Sequence, residues 1–243
     1  MMAATPPPPP ARPAGGLFRD AKAVVFDMDD TLLNWREAEE GAIAAVARSH
    51  FEPRGVAAAE VRRHYATILD ETWELWRAER RWIYVTERLR ILAERVGLPG
   101  LDSPAIGAQF HVEAGARLRL LSGADEALAT AKARGKKTAI LTNGRPDVQR
   151  PKVERFGLHT KVDFVGITGE LGHWKPDAKA FELVLAKLGV EPKHAVMVGD
   201  TLDFDVSPAK RLGMRTAWVS REALSHPDVD LIVGTPGELV PHF

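Results

Sequence analysis

The second half of the chain alternates between short apolar runs and amphipathic segments. The apolar runs are typical of buried strands that end at a turn: "KKTAILTNG", "VDFVGIT", "HAVMVGD", "RTAWVS" and the weaker "VDLIV". Segments with helical spacing lie between them: "QRPKVERFG", "DAKAFELVLAKLG" and "DFDVSPAKRLG". Asp177 and Gly189 are predicted to cap the second of these helices, and Pro151 is predicted near the first turn of the first. This alternation predicts a parallel sheet covered by helices on both faces.

A different pattern follows the first apolar run, Ala23-Val24-Val25-Phe26. Residues 34–117 contain long helical patterns without a convincing strand between them. Arg88 in this segment is predicted to lie on a solvated helix face, with contact to a substrate anion as the alternative. We therefore predict an α/β protein with a Rossmann-like parallel-sheet core. The core comprises residues 17–33 and 118–243, and a helical domain at 34–117 is inserted after the first strand.

Composition narrows the class of protein. Apolar residues make up 45% of the chain and charged residues 27%, which is typical of a soluble globular protein. The net charge is zero, so binding to nucleic acid or to a membrane surface is not expected. The absence of cysteine excludes disulfides and thiolate chemistry, and it favours a cytoplasmic location. Residues 1–16, with their proline run, are predicted to be a disordered tail.

Polar side chains follow several of the predicted strands, at the point where each strand ends. These candidates are Asp27 and Asp29 after the first strand, Thr142 and Asn143 in "LTNG", Lys175 in "GHWKPD", and Asp200 and Asp205 in "GDTLDFD". In open parallel sheets, ligands bind beyond the carboxyl ends of the strands. The sequence therefore predicts that these residues converge on one edge of the sheet.

Their chemistry is that of a hard cation together with a phosphate. Mg²⁺ prefers oxygen ligands and is typically held by one or two carboxylates plus substrate phosphate. It would relieve the repulsion among Asp27, Asp29 and Asp200, while Lys175, Thr142 and Asn143 would bind phosphoryl oxygens. Asp27 is the candidate nucleophile, and Asp29 is the candidate general acid and base.

Four segments in this order resemble the haloacid dehalogenase (HAD) superfamily of phosphohydrolases: "DMDDT", "LTNG", "GHWKPD" and "GDTLDFD". The resemblance implies Asp27 as nucleophile, Asp29 as acid/base, Thr142 and Asn143 as phosphate ligands, Lys175 as a catalytic cation, Asp200 as a metal ligand and Asp205 as its support. It also implies that Mg²⁺ takes the backbone carbonyl of Asp29, and that the helical insertion is a C1-type cap, a domain that closes over the substrate. The sequence departs from the family at Asp30, where many members have glycine, and at Phe204, where asparagine is frequent.

The expected activity is Mg²⁺-dependent hydrolysis of a small phosphorylated metabolite, of the nucleotide or sugar phosphate class, through an aspartyl-phosphate. A HAD-type phosphomutase and a dehalogenase are the alternatives. The family's dehalogenases lack the second aspartate, so Asp29 favours the phosphatase, and a phosphate-transfer assay would separate it from a mutase. A non-enzymatic receiver module is disfavoured because its phosphorylated aspartate lies at a later strand. Substrate, oligomeric state and protein partners do not follow from the sequence.

Overall fold

The structure is a computed structural model that describes residues 16–79, 81, 83–221 and 225–243. Apart from Gly16, the predicted proline-rich tail lies outside the described residues. The chain divides into two compact units. The core unit contains Leu120–Phe243 together with the described residues up to Leu33, and the helical unit contains Asn34–Arg119.

The core unit is built on a six-stranded sheet with the order β3-β2-β1-β4-β5-β6. Its strands are β1 (Ala23–Phe26), β2 (Lys137–Thr142), β3 (Phe164–Ile167), β4 (Ala195–Gly199), β5 (Arg215–Val219) and β6 (Leu231–Val233). Every neighbouring pair is parallel, and Ala23 at the start of β1 lies opposite Lys137 on one side and Ala195 on the other. The predicted fold class is confirmed. The carboxyl ends of β1, β2 and β4 consequently lie side by side.

The helices are α1 (Trp35–Val46), α2 (Ala58–Glu79), α3 (Val85–Arg95), α4 (Ser103–Arg117), α5 (Ala124–Ala133), α6 (Pro146–Arg155), α7 (Leu158–Lys161), α8 (Thr168–Leu171), α9 (Ala178–Leu188) and α10 (Ser207–Arg211). Asp177 caps α9 as predicted, with its side chain accepting the N–H of Lys179 at 3.0 Å, and Gly189 ends the helix at φ 67°. The predicted place of Pro151 is wrong, because α6 already begins at Pro146. The extended Arg145 before that proline sets the start of the helix.

The two faces of β1 pack against different partners. Ala23 and Val25 belong to a buried cluster that includes Phe181 and Val184 of α9. Burial of an aromatic or branched side chain of this kind contributes about 1.5–3 kcal/mol. Phe26 packs edge-on against Phe243, with ring centroids 6.4 Å apart. These contacts hold the central strand rigidly, and with it the residues that follow Phe26.

The helical unit has a separate apolar core and a buried ion pair inside it. Arg88 is 4% exposed, and its guanidinium lies 3.1 Å from a carboxylate oxygen of Glu39. The Tyr65 hydroxyl donates to the same oxygen at 3.0 Å, and burial followed by the Glu39 charge raises the pKa of Tyr65. The predicted solvated face for Arg88 is therefore wrong. The carboxylate of Glu39, on α1, compensates the charge of the guanidinium, so Arg88 can be buried with Leu89 and Leu92. The spacing of residues within α3 does not reveal a partner on another helix.

The chain leaves and re-enters the core unit at adjacent points. Leu33 and Leu120 form an antiparallel bridge, and the side-chain oxygen of Asn34 accepts the N–H of Arg119 at 2.7 Å. The helical unit is therefore inserted at one narrow neck. Among the helices that the structure describes, none is long and apolar enough to cross a membrane.

Candidate active site

The site begins where β1 ends. The Asp27 N–H donates to the carbonyl of Val198 at 2.8 Å, so the β1–β4 ladder extends up to Asp27. The chain then turns back sharply, since the N–H groups of Leu32 and Leu33 both donate to the carbonyl of Met28. Asp30 has a φ of 59° in this turn. Glycine adopts that backbone conformation most readily, which gives a physical reason for glycine at this position, whereas this chain adopts it with an aspartate.

A buried lysine joins two of the predicted carboxylates. The Lys175 ammonium group lies 2.6 Å from Asp27 Oδ1 and 2.6 Å from Asp205 Oδ1. Burial opposes the charged form of Lys175, but the facing Asp205 and Asp27 carboxylates outweigh it, so the pKa of Lys175 lies above its ordinary value. The lysine is therefore a fixed cation beside Asp27.

Asp200 completes an acidic cluster. Carboxylate oxygens of Asp27, Asp200 and Asp205 all lie within 4.8 Å of one another. Burial raises the pKa of Asp27 to about 7 despite Lys175, and burial followed by the Asp27 charge raises the pKa of Asp200. Both shifts express the free energy needed to hold like charges together away from water.

The backbone around the cluster holds these carboxylates closely. Asp205 Oδ2 accepts the N–H of Thr201 at 3.2 Å, and a Cβ placed on Gly199 would lie 2.4 Å from the Cβ of Asp205. Only glycine leaves room for the buried aspartate at that point. The Trp218 indole donates to the carbonyl of Asp200 at 2.7 Å, which fixes the turn after β4.

Thr142 is the last residue of β2, and Asn143 follows it. Both ends of the Asn143 amide bond the backbone of Lys175: the amide nitrogen lies 3.0 Å from its carbonyl and the amide oxygen 2.9 Å from its nitrogen. Thr142 is 1% exposed, and its hydroxyl accepts from Gln149 at 2.8 Å. The Asn143 side chain therefore positions the loop that carries Lys175.

The side chain of Asp29 has different partners from the other predicted carboxylates. The Lys152 ammonium lies 2.9 Å from its Oδ1 and 2.7 Å from its Oδ2, and the Gln149 amide nitrogen lies 3.0 Å from Oδ2. Asp29 does not belong to the carboxylate cluster found within the described residues. The structure thus separates the two aspartates after β1: Asp27 faces Lys175, whereas Asp29 faces α6.

Sequence reasoning missed Gln149 and Lys152. Helix α6 buries Gln149, Lys152 and Val153, which have the i, i+3, i+4 spacing of a core-facing stripe. Two of those three positions are polar, and each such residue needs a partner inside the protein. Polar residues at core-facing positions could therefore have identified Gln149 and Lys152 as residues with a buried partner. The sequence pattern could not show that this partner is Asp29, because Asp29 lies on another element.

The acidic cluster fits a divalent cation. Three carboxylates and one ammonium group leave two negative charges uncompensated within this group when all are ionised. The donors are all oxygens, which suits Mg²⁺ better than a softer metal. Burial and mutual repulsion raise the pKa values of Asp27 and Asp200, and a divalent cation would offset that repulsion.

The fold and these side chains define an α/β protein with an acidic, lysine-containing candidate active site at the carboxyl edge of its sheet. A family model for haloacid dehalogenase-like hydrolases matches residues 21–213. The chain belongs to this family.

Two relatives with similar sequences are phosphatases by name. The chain is 31% identical over 236 residues to a glyceraldehyde 3-phosphate phosphatase from Methanopyrus kandleri, covering 90% of this chain and 95% of that protein. It is 44% identical over 105 residues to a phosphoserine phosphatase from Thermus thermophilus, covering 43% of this chain and 42% of that protein. By its family the chain is a hydrolase.

Among solved structures, the fold is similar to that of YfnB, a HAD-hydrolase from Bacillus subtilis solved with bound magnesium. The TM-score is 0.75 at 20% sequence identity, covering 90% of this chain and 96% of that one. At this identity the likeness shows the fold alone.

Proposed function

We propose that this protein is a Mg²⁺-dependent phosphatase that hydrolyses a small phosphorylated metabolite through an aspartyl-phosphate on Asp27. The observation that carries the proposal is the position of the buried Asp27 carboxylate. It lies against Lys175 at 2.6 Å and within 4.8 Å of the Asp200 and Asp205 carboxylates. A nucleophile, a fixed cation and a set of hard oxygen donors therefore meet at one point.

In the first step, an oxygen of Asp27 attacks phosphorus and the bond from phosphorus to the ester oxygen breaks. Protonated Asp29 gives its proton to that departing oxygen, so the alcohol leaves neutral. Lys175 and the Thr142 hydroxyl bind phosphoryl oxygens. Asn143 holds the Lys175 loop through its side-chain amide, and we propose that this residue also binds a phosphoryl oxygen.

In the second step, ionised Asp29 takes a proton from water, and the water oxygen attacks the phosphorus of the aspartyl-phosphate. The bond between phosphorus and the Asp27 oxygen breaks, which releases inorganic phosphate and restores both carboxyl groups to their starting forms. One residue thus serves as acid and then as base.

The carboxylates of Asp27 and Asp200 and the backbone carbonyl of Asp29 would hold Mg²⁺, with Asp205 supporting the site through Lys175 and Thr201. When bound, the cation supplies positive charge against the phosphoryl oxygens and the repelling carboxylates. We place the substrate among small phosphorylated metabolites because the relatives are named for glyceraldehyde 3-phosphate and phosphoserine.

Activity should depend on a divalent cation. Purified protein screened against nucleotide monophosphates, sugar phosphates, phosphoserine and phosphoglycolate should release phosphate from at least one of them. EDTA should abolish this activity and Mg²⁺ should restore it, because the carboxylate cluster needs a counter-charge. Full activity in rigorously metal-free buffer, or no hydrolysis of any ester with Mg²⁺ present, would contradict the proposed function.

The Mg²⁺ requirement should also depend on pH. Because burial raises the pKa of Asp27 to about 7 without the cation, protons compete with Mg²⁺ for that carboxylate at lower pH. The Mg²⁺ concentration for half-maximal activity should therefore fall by at least about tenfold between pH 6 and pH 8, which is the change in the ionised fraction of Asp27 alone. A requirement independent of pH would show that Asp27 is ionised before the cation binds.

We also propose that the helical unit is a C1-type cap that selects the leaving group. All the predicted phosphate-binding residues lie in the core unit, and Leu33 and Leu120 are bridged at the neck. Replacing residues 35–118 with a short linker should lower turnover of the best metabolite by about 10²-fold or more, and that of nitrophenyl phosphate by less than about tenfold. The measurement is kcat/KM for both esters in a variant with a cooperative melting transition. Equal losses would refute this division of labour.

A phosphomutase and a dehalogenase remain the alternatives, and product analysis separates them. A mutase would move phosphate to a second position of the substrate and release little of it, whereas a dehalogenase would release halide from a 2-haloacid. A phosphatase releases inorganic phosphate in step with the alcohol.

A further inference from the structure

Helix α6 contributes a pair of side chains that the four family segments do not include. Gln149 is 2% exposed and Lys152 is 7% exposed, and both reach Asp29. Their hydrogen bonds connect α6 to the loop after β1, across more than 100 residues of sequence. A buried lysine is retained only where a specific partner compensates its desolvation.

We propose that Lys152 and Gln149 are positioning residues that hold the Asp29 carboxylate in a single orientation for its two proton transfers. The inference rests on the proposed phosphatase function, and it adds two residues that act through Asp29. Lys152 lies within 2.9 Å of both Asp29 oxygens, so the ammonium group fixes the plane of the carboxylate as well as its place.

Gln149 ties this arrangement to the phosphate-binding end of β2. Its amide nitrogen lies 3.0 Å from Asp29 Oδ2, 2.8 Å from Thr142 Oγ1 and 2.9 Å from the Asn143 carbonyl. One side chain therefore spans the proton carrier and the predicted phosphate ligands, which sets the distance between them. A Cβ on Gly144 would lie 2.6 Å from the Gln149 Cγ, so the turn after Asn143 is shaped around this glutamine.

Positioning matters here because Asp29 has to act twice at the same place. It gives a proton to the leaving oxygen and later takes one from water, and the intermediate stays on Asp27 between the steps. An aspartate in a tight turn without lateral support has two freely varying side-chain torsions, and small misplacement of a catalytic group reduces the rate strongly. A Lys–Gln pair on a rigid helix restricts those torsions.

The test compares Lys152→Met with wild-type protein on two leaving groups. On the best alkyl phosphate from the screen, kcat should fall by about 10- to 100-fold, part of the usual contribution of general acid–base catalysis, with KM changed less than about threefold. The rate constant of nitrophenolate release in a rapid-mixing burst should change less than about threefold, because nitrophenolate leaves without a proton. Gln149→Leu should show the same pattern with a smaller loss.

A double-variant comparison shows whether Lys152 acts through Asp29. In an Asp29→Asn background, adding Lys152→Met should reduce alkyl phosphate turnover by less than about threefold further, because the group that Lys152 positions has already lost its function. The Asp27→Asn variant is assayed in parallel, and the activity of its preparation measures the background from contaminating phosphatase. The matched control is Lys161→Met, which breaks a surface ion pair with Asp125 in the same unit and should leave both esters unaffected.

Three results would overturn the proposal. Equal losses on both leaving groups would indicate a structural role, a rise in KM of about tenfold or more would indicate direct phosphate binding by Lys152, and full additivity with Asp29→Asn would show an independent role. If Lys152→Met does not fold, Lys152→Gln, which keeps a donor, is measured in the same way. Inactivity of wild-type protein on every ester would instead refute the proposed function, so the two failures are distinguishable.

Discussion

Replacing Asp27 with asparagine is expected to abolish phosphate release from every ester, by at least about 10⁴-fold. The amide is close in size to the carboxylate, but it cannot accept the phosphoryl group as an acyl phosphate. Lys175 keeps its contact with Asp205 in the variant, so the buried cation retains a counter-charge and the site should still fold. Steady-state assays on the best alkyl phosphate and on nitrophenyl phosphate measure the loss.

The matched control for this substitution is Asp203→Asn. Asp203 is an exposed aspartate next to the acidic cluster in sequence, and we expect its variant to retain wild-type turnover. Wild-type protein quenched in acid during turnover should carry one phosphoryl group on the peptide that contains Asp27, and the Asp27→Asn variant should carry none. Retained turnover in Asp27→Asn, with the blank subtracted, would exclude Asp27 as the nucleophile.

Replacing Asp29 with asparagine should affect two leaving groups differently. An alkoxide needs a proton to depart and asparagine cannot donate one, so turnover of alkyl phosphates should fall by about 10²–10⁴-fold. Nitrophenolate leaves readily without a proton, so the first step should survive on nitrophenyl phosphate. The second step still needs a base. The variant should therefore release nitrophenolate in a burst near one per active site and then stall.

Rapid-mixing absorbance measures this burst directly. Lys152 loses the charge of its partner in the variant, so a thermal melt is needed to show that the site remains folded. Steady turnover without a burst, with the same loss on both leaving groups, would show that Asp29 is not the proton carrier. Its part would then be confined to the metal site or to the turn after β1.

Local patterns were sufficient to predict the fold class. Apolar runs that alternate with amphipathic helices indicate a sheet that is buried on both faces. This pattern can be read directly from neighbouring residues in the sequence. The caps of α9 were predictable for the same reason, since Asp177 bonds the backbone of Lys179 and Gly189 adopts a left-handed conformation within the same short segment.

The gathering of candidate residues at one sheet edge also follows from the sequence, once parallel strands are recognised. Parallel strands end on the same side, so residues placed just after β1, β2 and β4 must lie near one another. Asp27, Lys175, Asp200 and Asp205 meet there in the structure. Their roles stay predictions until the variants described above are measured.

Only the tertiary structure decided which partner each buried charge has. The pattern of α6 places Lys152 on a core-facing stripe, but it does not reveal that the partner is Asp29, more than 100 residues away in sequence. Arg88 is buried because Glu39 of another helix neutralises it, although its own segment is typical of a solvated face. The physical reason is the same in both cases. The spacing of apolar residues along a segment indicates which face of that segment is buried. A charged side chain, however, can be buried only beside a counter-charge, and folding brings that counter-charge near from a distant part of the chain.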